Sequence, residues 1–104
     1  MTALRCIGIA AFLVASANAR AQETVITIEN FTFNPAEVAI KPGTIVTWKN
    51  ADDIPHSVVE AAAKFRSKAL DTGETFTMTF ASAGEIAYFC GLHPFMMGKI
   101  NIKP

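Results

Sequence analysis

Residues 24–29 (Thr-Val-Ile-Thr-Ile-Glu) alternate polar and apolar side chains and are rich in β-branched types, as in a strand with one face buried. The same period of two returns at residues 75–80 (Thr-Phe-Thr-Met-Thr-Phe), which puts Phe76, Met78 and Phe80 on one core face. Residues 37–41, 44–49 (with Trp48), 57–60, 85–90 and 98–103 read as further strands, about seven in all. The breaks between them are turn formers. Residues 31–35 (Phe-Thr-Phe-Asn-Pro) lead into a turn, and Pro42-Gly43, Asp71-Thr-Gly73 and Ala83-Gly84 are turns in their own right. Residues 61–63, three alanines, offer one helical turn at most. No segment carries the 3.6-residue period over a useful length, so the pattern predicts an all-β sandwich forming a single domain.

The first 21 residues are patterned differently. Arg5 and the amino terminus form a short positive region, residues 6–15 carry no charge, and two small-residue motifs follow, Ala17-Asn18-Ala19 and Ala19-Arg20-Ala21. This is the layout of a secretory signal peptide, and the apolar run falls short of the about 20 residues of a spanning helix. Residues 1–21 are therefore expected to be a leader, with cleavage at either motif. Residues 22–104 are then an exported, periplasmic domain, not inserted in the membrane once cleaved. Cys6 lies too early to be a lipid-attachment site and leaves with the leader.

Composition narrows the function. The 104 residues carry 9 basic and 9 acidic side chains, and cleavage after Ala21 removes only Arg5 and Arg20, for a net charge of −2. A nucleic-acid binder needs a basic surface to displace phosphate counterions, and this chain has none to spare. Small exported domains are often stapled by disulfides. Here one cysteine, Cys90, remains, and it cannot form an internal bridge. A bound metal is the economical occupant of such a thiol, and it would also help hold together a small core.

Cys90, His93 and Met96 stand at i, i+3 and i+6 in Cys-Gly-Leu-His-Pro-Phe-Met. Gly91 and Pro94 oppose a helix, so the spacing predicts a tight loop after a strand, curling three side chains toward one point. His56, the other histidine, follows Ile54-Pro55 in a turn-flanked position and is expected alongside. Singly, each residue has an ordinary reading: a buried thiol, a loop histidine, a core methionine. Together, one thiolate, two imidazoles and a thioether are the His₂Cys set with weak axial Met that suits copper in electron transfer. Zinc, the rival, prefers four strong Cys or His donors. Met97 competes with Met96 for the axial position.

At this point the chain resembles the cupredoxins, or blue (type 1) copper proteins. The first half is carried by Phe31-Thr32-Phe33-Asn34-Pro35, Val38, Pro42-Gly43, Val46, Trp48-Lys49-Asn50 and Asp52 to His56. The second half is carried by Gly73-Glu74, Phe76, Phe80, Gly84, Tyr88-Phe89-Cys90, His93-Pro94, Met96 and Gly98-Lys99. The short Cys-x-x-His-x-x-Met loop is most similar to that of the amicyanin branch. The resemblance implies a Greek-key sandwich with copper at one end, held by His56, Cys90 and His93 with Met96 axial. It also implies that His93 is the port for one-electron transfer. Partners would be periplasmic redox proteins, with a dehydrogenase as donor and a cytochrome as acceptor, and the protein a monomer. Ser57 departs from the pattern, since many relatives place Asn directly after the first histidine, where it supports the sulfur.

Other features have plainer readings. Trp48 and Tyr88 are expected in the core, and Asp52-Asp53 in a solvated turn. Lys64, Arg66 and Lys68 share a face, either a solvated stripe or a docking stripe for an acidic partner. Pro94, Phe95 and Pro35 could rim the His93 edge. An exchangeable copper chaperone or storage protein is the alternative function. An enzyme would need a second copper with its own histidines, and both are already committed.

Overall fold

The computed structural model describes residues 22–104, so the expected leader at 1–21 lies outside the described residues. Eight strands form: β1 (Glu23–Glu29), β2 (Thr32–Asn34), β3 (Glu37–Ile40), β4 (Thr44–Asn50), β5 (Val59–Glu60), β6 (Thr75–Phe80), β7 (Gly84–Phe89) and β8 (Met97–Ile102). They make two four-stranded sheets, ordered β2-β1-β4-β6 and β3-β8-β7-β5. The β1–β4 and β3–β8 pairs are parallel and the others antiparallel. From β2 to β7 every connection passes from one sheet to the other, which rules out a simple meander and gives a cupredoxin-like sandwich.

The alternation read from the sequence becomes the core. Ile26 and Ile28 of β1, Val46 and Trp48 of β4 and Phe80 of β6 point inward from the first sheet. Tyr88, Ile100 and Ile102 meet them from the second, with Phe76 and Met78 packed against the cluster. Burying apolar surface at about 25 cal/mol per Å² is the main force holding such a shell together. Trp48 and Tyr88 cross edge to face at 5.3 Å between centroids, placing both in the core as expected.

Tyr88 stands opposite Gly98 in the β7–β8 ladder, and a Cβ built on Gly98 would collide with the Cζ–hydroxyl end of its ring. Only glycine permits that approach. Burial pushes the Tyr88 hydroxyl up to about 12, an effect the nearby Trp48 indole only tempers. No hydrogen bond of ordinary geometry joins the two, since Trp48 Nε1 and Tyr88 Oη are both buried without a partner.

Three local expectations are corrected. Residues 31–35 are not simply the approach to a turn: Thr32–Asn34 pairs antiparallel with β1 because Phe33 alone turns inward between two exposed neighbours. Only Val59–Glu60 of the expected strand at 57–60 pairs with β7. Residues 61–63 form no helical turn. There the Ala63 N–H closes back on the Glu60 carbonyl, while Glu60 Oε1 accepts from the Ala62 and Lys64 N–H groups. Lys64, Arg66 and Lys68 do share an exposed face, alternating with half-buried Phe65 and buried Ser67. No helix among the described residues is long and apolar enough to cross a membrane.

Candidate metal centre

The inward positions of β4 are Thr44, Val46, Trp48 and Asn50, so the period that builds the core ends on a polar residue. Asn50 is fully buried and spends its amide on the loop that follows. Its Nδ2 donates to the carbonyls of Ile54 (2.9 Å) and Leu70 (2.8 Å), and its Oδ1 accepts the Asp52 N–H (3.0 Å). A buried amide with all three bonds made is a rigid brace. Two backbone bonds between His56 and Leu70 finish the job: His56 N–H to the Leu70 carbonyl, and Leu70 N–H to that of His56. His56 thus enters the interior fully buried.

Asp52 fixes which way its ring faces. His56 Nε2 lies 2.8 Å from Asp52 Oδ2. A carboxylate can only accept, so Nε2 carries the proton and Nδ1 presents a lone pair to the cluster. Burial alone would raise the Asp52 carboxyl, but the Asn30 and Phe31 N–H groups and His56 together hold it below the ordinary aspartate value. The solvated-turn reading of Asp52 is therefore corrected, while Asp53 is exposed as expected.

The other donors come from the β7–β8 connection. Cys90 directly follows β7 and is fully buried. Its N–H donates to the Met96 carbonyl (3.0 Å), and the Met96 N–H donates to that of His93 (2.9 Å), so the loop closes on itself. Met96 is 2% exposed and shares the core cluster with Cys90, whereas Met97 opens β8 at 68% exposure. That contrast favours Met96 over Met97 beneath the site. Ser57, in the position where Asn is common, divides the work. Its backbone N–H donates to Cys90 Sγ (3.3 Å), and its Oγ accepts the Gly91 N–H (2.9 Å).

Three donor atoms converge. Cys90 Sγ lies 3.7 Å from His56 Nδ1 and 3.8 Å from His93 Nδ1, and the two nitrogens are 3.2 Å apart. The point equidistant from all three is about 2.1 Å from each, the length of a metal–nitrogen bond. Lone pairs aimed at one another so closely are satisfied by a cation between them. Among the described residues, His56, Cys90 and His93 are the group of His, Cys and acidic side chains that could hold an ion. With one sulfur, two imidazoles and a buried thioether nearby, the donor chemistry fits copper better than zinc or a hard cation.

Around His93, which is half-buried, lie the exposed apolar side chains of Phe31, Leu92 and Phe95, and Met97 at the start of β8 lines a groove with Phe31 and Phe95. Phe31 is among the residues that carry the resemblance, but its place against the two histidines was not anticipated. Its ring lies edge-on to His56 (5.5 Å) and His93 (5.2 Å) and stacks on Phe95 (6.3 Å). Nothing in the local sequence marks it, because it reaches the site from the tip of a hairpin. Asp52 had one available signal, an acidic residue four positions before a candidate ligand.

Comparison with known proteins agrees with this geometry. The profile of the cupredoxin-like domain matches residues 3–102. Amicyanin of Paracoccus versutus is 35% identical over 95 residues, covering 86% of this chain and 72% of the relative. Chloroplastic plastocyanin of Tetradesmus obliquus is 34% identical, covering 93% and 77%. Among solved structures, a Cu(I) form of an amicyanin variant superposes with a TM-score of 0.74 at 28% identity, covering 84% of this chain and 88% of that one. A copper-containing nitrite reductase from Thermus scotoductus gives 0.76 at 26% identity, but only 23% of its length is covered. Profile, relatives, sheet order and donor cluster agree: this chain belongs to the cupredoxin family.

Proposed function

We propose that this protein is a blue-copper electron carrier in which His56, Cys90 and His93 hold the metal and Met96 lies axial to it. The observation that carries this reading is the triangle of one sulfur and two Nδ1 atoms, each side under 4 Å. Held by His56, Cys90 and His93, copper would supply a one-electron Cu(I)/Cu(II) couple. The chain's own task is to hold still. Asp52 keeps the His56 tautomer and orientation, the Ser57 N–H stabilises the thiolate, and the Cys90–Met96 backbone bond fixes the loop, so that little rearranges when the charge changes.

His93 is the port in this reading. It is the more accessible of the two imidazoles, and Phe31, Leu92, Phe95 and Pro94 surround it with an apolar rim. Small apolar faces suit brief redox encounters. Lys64, Arg66 and Lys68 lie close by, on a groove they share with Leu92 and Gly91, and supply a docking stripe for an acidic partner. Lys68 is partly engaged by Glu74 at 3.4 Å. A dehydrogenase as donor and a cytochrome as acceptor, with the protein a monomer, complete the proposal. Residues 1–21 direct export to the periplasm and are removed there. Complete burial of His56 and Cys90 favours a carrier over an exchange site for copper delivery, and both histidines are committed to one ion, which leaves none for a catalytic copper.

The test is an absorption spectrum of residues 22–104 loaded with Cu(II). An intense thiolate-to-copper band in the visible, lost in Cys90→Ser, is the expected result. A colourless protein overturns the proposal.

A further inference from the structure

We infer that Phe31 is a positioning residue for the metal centre: clamped by Asp52, its ring closes the solvent side of the donor cluster and keeps water and small anions from it. The inference rests on the copper reading above. Its first support is the ring's placement. Phe31 stands nearly perpendicular to both imidazoles, at 88° to His56 and 84° to His93, so one side chain bridges ligands from two different loops. It continues into Phe95, with which it is nearly parallel at 28°.

The second support is the backbone. Asn30 and Phe31 are both left-handed, with φ of 54° and 58°. The two-residue hairpin between Glu29 and Thr32 demands that conformation at both positions, which suits asparagine but is seldom taken by phenylalanine. Asp52 clamps the turn in place: its Oδ1 accepts the Asn30 N–H at 2.8 Å and its Oδ2 accepts the Phe31 N–H at 3.2 Å. Oδ2 also meets His56 Nε2. One carboxylate therefore ties the strained hairpin tip to the back of a ligand.

The third support is economy. Phe31 does nothing for the sandwich: it lies between β1 and β2, outside the core cluster, and is 43% exposed. An aromatic ring held half in water by a strained turn is explained by what its inner side covers. Excluding solvent there lowers the local dielectric and denies the metal a further ligand, and both tune a redox centre.

The experiment uses residues 22–104. Copper-loaded wild type, Phe31→Ala, Phe31→Leu and Phe31→Trp are titrated with azide while the thiolate band and the electron paramagnetic resonance spectrum are followed. Wild type is expected to be indifferent, Phe31→Ala to respond at about tenfold lower azide or less, Phe31→Leu to fall between, and Phe31→Trp to restore indifference. In metal-free protein, iodoacetamide should alkylate Cys90 about tenfold faster in Phe31→Ala than in wild type. Alanine and leucine variants matching wild type in both assays would overturn the inference. Failure of wild type to develop the copper band would instead overturn the copper reading, and the alkylation assay would still judge the cover.

Discussion

The two histidines of the cluster are the same chemical group in opposite circumstances. His56 is fully buried, bonded through its backbone to Leu70 and through Nε2 to Asp52. His93 is half-buried on the short loop between β7 and β8, and its recorded polar contacts run from Nδ1 into the cluster. The contrast separates two requirements of an electron carrier. With copper bound as proposed, His56 would anchor the ion to the fold and His93 would bring it within reach of a partner. A site with two anchors would be inaccessible, and one with two ports would rearrange with every change of charge.

The sharpest way to break this comparison is to remove each ring and offer a substitute. In His93→Gly, added imidazole is expected to restore the thiolate-to-copper band, because the gap opens to solvent. In His56→Gly it should not, since Asp52, Asn50 and the β4 loop seal that side. Equal rescue of both variants in a visible titration would end the anchor-and-port distinction.

Next in size is the brace behind the anchor. Asn50→Ala strips donors from the Ile54 and Leu70 carbonyls and an acceptor from the Asp52 N–H, and it should cost about 2–4 kcal/mol of unfolding free energy. Urea denaturation measures it. A loss below about 0.5 kcal/mol, the ordinary surface value, would mean the loop stands without its brace.

Tyr88 belongs to neither side and tests the shell that carries both. Its folded-state value of about 12 lies above the ordinary 10, so folding favours the protonated form. The stability this contributes is complete below pH 10 and is lost as pH rises toward 12. Denaturation midpoints measured between pH 9 and 12 should fall across that window, and the fall should vanish in Tyr88→Phe.

The smallest effect is on the port. Phe95→Glu places a charge on the apolar rim at a side chain 68% exposed. Electron exchange with a partner should slow by about tenfold while the copper spectrum stays unchanged. A changed spectrum would give Phe95 a role in the site rather than in docking.

Much of this was legible in the chain itself. The period of two at Val25–Ile28 and Thr75–Phe80 reports local geometry, because neighbouring side chains on a strand must face opposite ways. Likewise, Cys90, His93 and Met96 share one short segment, where Cys90 Sγ and His93 Nδ1 come within 3.8 Å and Met96 is buried in the core cluster with Cys90. What escaped was long-range. Asp52 meets Asn30 and Phe31 across 22 and 21 residues, and no short pattern marks such a meeting. Phe33 illustrates a second limit. A three-residue strand with one inward side chain is too short for periodicity to separate it from a turn, and only its pairing with β1 defines it.

The backbone bond between Cys90 and Met96 carries an evolutionary consequence. It staples both ends of the ligand loop to the mouth of the β7–β8 hairpin, so the residues that flank His93 inside it form a replaceable cassette. Insertions or exchanges within it would alter how the metal is presented to the outside world and leave the sandwich below undisturbed. One scaffold could in this way serve many partners, each met by its own loop.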